Sequence, residues 1–139
     1  MRCEVALVTH AIDVQGLLER AGDPAAGAVL SFVGTVRDSK QGRSVLRIEY
    51  EAYEPMARKV LERIGAELGA GWPVVSVALV HRIGRVEVGE ASIAIVVATP
   101  HRAAGFEALR HGIEAVKRDL PVWKHEFFAD GAVWVQEGS

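Results

Sequence analysis

Two segments repeat apolar residues at helical spacing, and each is followed by a pair of strand-like runs. In the first, Met56, Val60, Ile64 and Leu68 recur every four residues with Ala57 and Leu61 beside them, and Pro55 suits the opening turn. In the second, over 101–120, Phe106, Leu109, Ile113, Val116 and Leu120 alternate steps of three and four. Gly69 and Gly71 are expected to stop the first helix and Pro121 the second. Around them the chain predicts a strand over 3–9 and a short helix capped by Asp13, running to Arg20 and closed by Gly22 and Pro24. A near-continuous apolar strand follows over 27–37, then a polar loop to Arg43 and an alternating strand over 45–53. Strands over 74–82 and 92–99 read as hairpin neighbours. Strands over 122–128 and 132–136 flank Asp130-Gly131, a pair suited to a type I′ turn because that turn needs two positive φ values. The order is β-α-β-β-α-β-β-α-β-β. Helices that follow strand pairs predict an α+β fold with a mixed or antiparallel sheet and three helices, not a doubly wound parallel one.

At 139 residues, with 50% hydrophobic and 24% charged residues, the expectation is one domain over 1–139. The net charge of -2 provides no global basic field for nucleic acid or an anionic membrane, so any anion site has to be local. A single cysteine rules out an internal disulfide and a Cys-rich zinc site, and points to a reducing compartment. Cys3 itself reads as a small buried hydrophobe. The longest charge-free stretches, 24–36 and 68–80, have 13 residues each, short of a membrane helix, and no secretory signal is read at the start. Cytoplasm is the expected location.

Familiar nucleotide, zinc and serine hydrolase motifs are absent: no G-x-G-x-x-G, Walker A loop, H-E-x-x-H, G-x-S-x-G or C-x-x-C occurs. No metal and no cofactor is expected. What stands out is a set of cations at element ends. Arg37 follows the buried strand, His101-Arg102 open the long helix, Lys117-Arg118 close it, and Lys124-His125 follow Pro121. Arg118 is read equally well as a complement to the helix dipole and Arg37 as a solvated loop residue. His101 and Arg102 oppose the dipole, a conflict that a bound phosphate or carboxylate would remove; an open, hydrated turn after Thr99-Pro100 is the alternative. The chain uses Arg twelve times and Lys only four, yet Lys117 and Lys124 bracket Pro121. Lysine can lose its proton in a partly dry pocket and act as base or acyl acceptor, which Arg cannot. Two ordinary surface lysines remain the other reading. His10, His81 and His111 read as polar or core packing.

The blocks 32–37 (FVGTVR), 49–57 (EYEAYEPMA), 81–84 (HRIG), His101-Arg102 and 121–126 (PVWKHE) together resemble the large, catalytic subunit of molybdopterin synthase, in order over about 27–135. That family implies an α+β fold with an α/β hammerhead element. It implies a sulfurtransferase of molybdenum cofactor biosynthesis that adds two sulfurs to cyclic pyranopterin monophosphate, forming the dithiolene of molybdopterin. The sulfur comes from the C-terminal thiocarboxylate of a small ubiquitin-like subunit. Two large subunits form a central homodimer within a heterotetramer. Lys117 and Lys124 match the family's active-site lysines; Arg37, His101 and Arg102 match its substrate pocket, and Thr35, Val36, His125 and Glu126 adjoin it. The roles expected are anion binding by Arg37, His101 and Arg102, contact with the thiocarboxylate or proton transfer by Lys117, and pterin orientation by Lys124; the two lysine roles could be exchanged.

An unbroken helix would put Arg102 and Lys117, 15 residues apart, about 22 Å from one another. One pocket in one subunit cannot collect both, so a site shared across a dimer is expected. Two other classes remain open from the residues alone. One is a non-catalytic anion-binding module; the other, a small phosphate-ester hydrolase using His101, lacks an evident nucleophile.

Overall fold

The computed structural model describes residues 1–139. In chain order the elements are β1 (Arg2–Val8), α1 (Val14–Ala21), β2 (Ala28–Thr35), β3 (Ser39–Lys40), β4 (Arg43–Ala52), α2 (Glu54–Gly71), β5 (Ser76–Arg82), β6 (Gly84–Glu87), β7 (Ala91–Thr99), α3 (Arg102–Asp119), β8 (Val122–Phe128) and β9 (Val133–Glu137). The fold is α+β with three helices, as expected, but its strands make two sheets. The first has the order β1-β5-β7-β2, with β1 parallel to β5 and the other neighbours antiparallel. The second is antiparallel, with the order β3-β4-β8-β9 and β6 paired to β4.

The first sheet is covered on both faces at its central strands β5 and β7, whose register determines which residues face which helix; β2, expected to be buried, is an edge strand with Val29 and Val33 exposed. Ala78, Val80, Ala94, Val96 and Ala98 meet Leu17 and Ala21 of α1. The alternate residues Val77, Leu79, Ile93, Ile95 and Val97 join Leu61, Ile64 and Leu68 of α2 and Ala108, Ala115 and Val116 of α3. A strand buried on both sides reads as a continuous apolar run, which is why β7 carries Ile-Ala-Ile-Val-Val-Ala. The second sheet closes one end of the same core through Val45, Tyr50, Val86, Val122 and Phe128.

Several local expectations are corrected. The strands β5 and β7 are antiparallel neighbours, but the connection between them is no simple hairpin: β6 leaves the first sheet and pairs with β4 in the second. The polar loop before Arg43 contains the two-residue strand β3. Gly69 does not stop α2, which runs on to Gly71 because its packing against the core outweighs the weak helix propensity of glycine. At 130–131 only Gly131 takes a positive φ, of 90°. Gly131 N–H donates to the Phe128 carbonyl and Asp130 Oδ1 accepts from Ala132 N–H, giving a type I turn with a glycine bulge instead of type I′.

The face α3 buries includes four of its five large residues, with Val116 and Leu120 buried and Leu109 and Ile113 packed against the core, but it is centred on small residues. Gly105, Ala108, Gly112, Ala115 and Val116 are buried, whereas Phe106 is 62% exposed. Small residues let α3 lie close on the sheet: a Cβ on Gly105 would come within 2.5 Å of Leu30 Cδ1 and 2.9 Å of Thr99 Oγ1. Met56, in the first turn of α2, is likewise exposed. Cys3 is exposed on edge strand β1, not buried; partial burial and nearby Glu62 raise its pKa, so it rests as the thiol. No helix is long and apolar enough to cross a membrane.

Candidate active site

A cleft of about 160 Å³ lies where the ends of the two sheets meet the last turn of α3. Its charged side chains are Arg37, Lys40, Lys117, Lys124 and Glu126: four cations and one carboxylate. Thr35, Val36, Tyr50 and Ser92 complete the polar and apolar wall that concerns the chemistry. A hollow of similar volume, about 170 Å³, lies between β1 and α1, but its charges are already paired, as in the Arg20–Glu4 ion pair at 2.7 Å. Only the first cleft offers free cations.

Each cleft residue has a traceable local cause. The apolar run of β2 ends in a register shift at Gly34/Thr35, and Val36 is then held by the β6–β7 turn: its N–H donates to Glu90 O at 3.1 Å and its carbonyl accepts from Gly89 N–H at 2.8 Å. That clamp releases Arg37 at the cleft. Beneath the turn, Glu90 accepts from the Glu87 N–H at 2.8 Å and lies 3.4 Å from the Arg82 guanidinium. Lys117 projects from the last turn of α3, where the helix ends with Leu120 N–H donating to Val116 O. Lys124 and Glu126 share one face of β8, since side chains alternate along a strand, and Lys124 lies opposite Tyr50 of β4.

The lysines have no counterion of their own. Neither forms an ion pair, whereas Glu126, only 2% exposed, is taken by Lys40 at 2.7 Å. Burial and the neighbouring Lys124 pull the pKa of Lys117 down. Burial lowers that of Lys124 as well; Glu126 opposes the shift, while Lys40 and Arg37 reinforce it. Lys117 is exposed at the cleft mouth and Lys124 half-buried within it, and two neighbouring ammonium groups without a counterion favour a bound anion and a readier loss of a proton. His81 is fully buried below them and, against the desolvation cost and the two lysine charges, its pKa falls to about 4. It packs as a core residue, edge-on to Tyr50 at 5.0 Å between ring centroids.

Of the residues singled out in the sequence, the cleft gathers Thr35, Val36, Arg37, Lys117, Lys124 and Glu126. It does not gather His101, Arg102 or His125. His101 and Arg102 are exposed at the opposite end of the unbroken helix α3. His125 lies on the other face of β8 and its Nε2 is 3.5 Å from Glu51. Arg118 pairs with adjacent Asp119 at 3.0 Å and stays outside the cleft. Sequence reasoning missed Lys40. Composition offers only the scarcity of lysine as a signal; the structure shows that three of the chain's four lysines line this one cleft, and only Lys59 lies elsewhere.

Residues 7–119 match the family model described as MoaE protein. A molybdopterin synthase catalytic subunit from Halalkalibacterium halodurans is 43% identical over 130 residues, covering 94% of this chain and 83% of that protein. The crystal structure of molybdopterin synthase from Staphylococcus aureus superposes with a TM-score of 0.89 at 36% identity, covering 94% of each chain. A complex of subunits 1 and 2 of molybdopterin-converting factor from Helicobacter pylori shares the fold, with a TM-score of 0.78 at 24% identity over 94% of this chain and 88% of that one. A fold and a sequence that agree over nearly the whole length leave one assignment: the chain belongs to the MoaE protein family.

Proposed function

We propose that this chain is the catalytic subunit of a cytoplasmic molybdopterin synthase, a sulfurtransferase of molybdenum cofactor biosynthesis. It takes one sulfur from each of two C-terminal thiocarboxylates on small ubiquitin-like subunits, leaving each as a carboxylate, and places the two sulfurs on cyclic pyranopterin monophosphate. The observation that carries this reading is the pair Lys117 and Lys124, unpaired and depressed in pKa in a cleft whose one carboxylate is already engaged.

The physical roles follow from charge. A thiocarboxylate tail and a phosphate are both anions, and preorganised cations in a cleft hold them more strongly than the same charges in water. Arg37 presents a fork suited to carboxylate or phosphate. Lys117 is assigned contact with the thiocarboxylate carbon or proton transfer, and Lys124 orientation of the pterin and stabilisation of developing negative charge.

The length of α3 supports a shared site. Arg102 and Lys117 stand at its two ends, about 22 Å apart at 1.5 Å per residue. His101 and Arg102 therefore serve the cleft of a second copy in a central dimer, with one small subunit at each outer cleft.

The test is direct: incubate the chain with a thiocarboxylated small subunit and the pterin precursor, and assay for the dithiolene. Formation of the product, lost on omitting the thiocarboxylate, supports the assignment; no product with a demonstrably bound partner refutes it.

A further inference from the structure

Lys40 stands outside every family block read in the sequence, yet it reaches from β3 into the cleft. Its Nζ donates to Glu126 Oε1 at 2.7 Å and to Gln136 Oε1 at 3.1 Å, and lies 5.8 Å from the centroid of the Trp134 ring. We propose that Lys40 is a positioning residue that holds the Glu126 carboxylate at the cleft wall, keeps that anion off Lys124, and so leaves Lys117 and Lys124 free for an incoming anionic ligand. This rests on the assignment above that those two lysines receive the ligand.

The geometry makes the competition concrete. Lys124 and Glu126 are two residues apart on one strand and share its inward face, about 7 Å along β8, a span the flexible lysine stem covers. Glu126 is the one carboxylate lining the cleft and is almost fully buried, so it needs a cation or a proton. Lys40 provides that cation from a different element. Without it, Lys124 is the cation placed to pair with Glu126, and the cleft loses one of its two open ammonium groups. The groups facing Lys124 are Arg37 and Lys40 from the β2–β3 segment, Tyr50 from β4, His81 from β5, Lys117 from α3 and Glu126 from its own strand. Among them only Glu126 holds the Lys124 proton on; Lys40 and Arg37 favour its loss.

The test reads Lys124 itself, not the reaction. The full chain is treated with a trace of acetic anhydride across a pH series, with a free amine as internal standard, and acetylation of the Lys124 peptide is followed by mass spectrometry. In Lys40→Met, Lys124 pairs with Glu126 and its labelling midpoint rises by about one pH unit, a roughly tenfold slower reaction below the midpoint. Lys40→Arg keeps the clamp and stays within about twofold of the parent, and the double variant Lys40→Met with Glu126→Gln returns to the parent profile, because the freed anion is gone. Parental labelling in Lys40→Met overturns the proposal, since Glu126 then takes a proton instead of Lys124. Slow labelling persisting in the double variant overturns it too. The labelling shift supports the clamp whether or not sulfur transfer is detected, so a failed assay for the dithiolene counts against the assigned reaction alone.

Discussion

His81 and Ser139, both buried, are joined by a hydrogen bond, with Nε2 2.9 Å from the Ser139 Oγ. The other ring nitrogen, Nδ1, is 2.7 Å from the Arg82 carbonyl oxygen and must donate to it, so the neutral ring accepts the serine hydroxyl at Nε2. Burial and the charges of Lys117 and Lys124 hold the pKa of His81 down at about 4, against 6.5 for the free side chain.

That depression has a defined sign. Below pH 6.5 the unfolded chain takes up a proton on His81 that the folded chain refuses until about pH 4. Stability present above 6.5 is therefore lost as pH falls through this window, by about 3 kcal/mol in total. The expected result is a urea midpoint that declines from pH 7 to pH 4, with a shallower decline in His81→Gln. Asp119, whose pKa is lowered to about 2 by Arg118 and Arg63, contributes its loss below 3.8 and does not mask the histidine.

Replacement of either cleft lysine separates chemistry from simple anion binding. Lys117→Ala and Lys124→Ala should each lower sulfur transfer by about a hundredfold or more, the scale of a lost acid–base or charge-stabilising group. Lys117→Arg retains the charge but cannot give up its proton. If lysine chemistry is used, this variant binds the thiocarboxylated tail at near-parental affinity and still fails to turn over. Retained turnover would identify Lys117 as a point charge only. Single-turnover assays beside a binding titration measure both.

The span of α3 predicts complementation between protomers. Lys117→Ala and Arg102→Ala are each expected to be nearly inactive alone. Mixed dimers contain one cleft with both residues intact, so a mixture refolded together should recover about a quarter of parental activity, with half the dimers mixed and half of their clefts complete. Verified mixed dimers without recovery would remove the shared site.

The core beneath the cleft should respond as a tightly packed layer. Ile64 of α2 is fully buried between α3 and the first sheet, so Ile64→Ala is expected to cost about 2–5 kcal/mol in unfolding free energy. Gly105→Ala is the opposite case, with a methyl placed 2.9 Å from the buried, hydrogen-bonded Thr99 Oγ1. The clash outweighs the roughly 1 kcal/mol of helix propensity gained, and a net loss of about 1–3 kcal/mol is expected. Both are measured by chemical denaturation.

Most of the elements were legible because their cause is local. The stripe Val60–Leu61–Ile64–Leu68, the apolar run of β7 and the stop at Pro121 each follow from spacing and backbone chemistry within a few residues. The cations at element ends and the family resemblance both point to Arg37, Lys117 and Lys124, and the structure places all three in one cleft. Other features depended on partners far away in the chain. That β6 pairs with β4 in the second sheet, that α3 buries Gly105, Ala108, Gly112 and Ala115 while Phe106 faces out, and that Cys3 lies exposed are all decided by which surfaces meet. His125 and Lys124 are neighbours in sequence, but the period of two in a strand sends one into the cleft and the other to Glu51. Lys40 and Glu126, 86 residues apart, carry no sequence pattern that links them. By itself the sequence determined the three helices, seven of the nine strands and the family, because periodicity and motif are written in neighbouring residues. Only the tertiary structure decided how the charges are shared out in the cleft, because electrostatics depends on distance through space, and chain order does not record that distance.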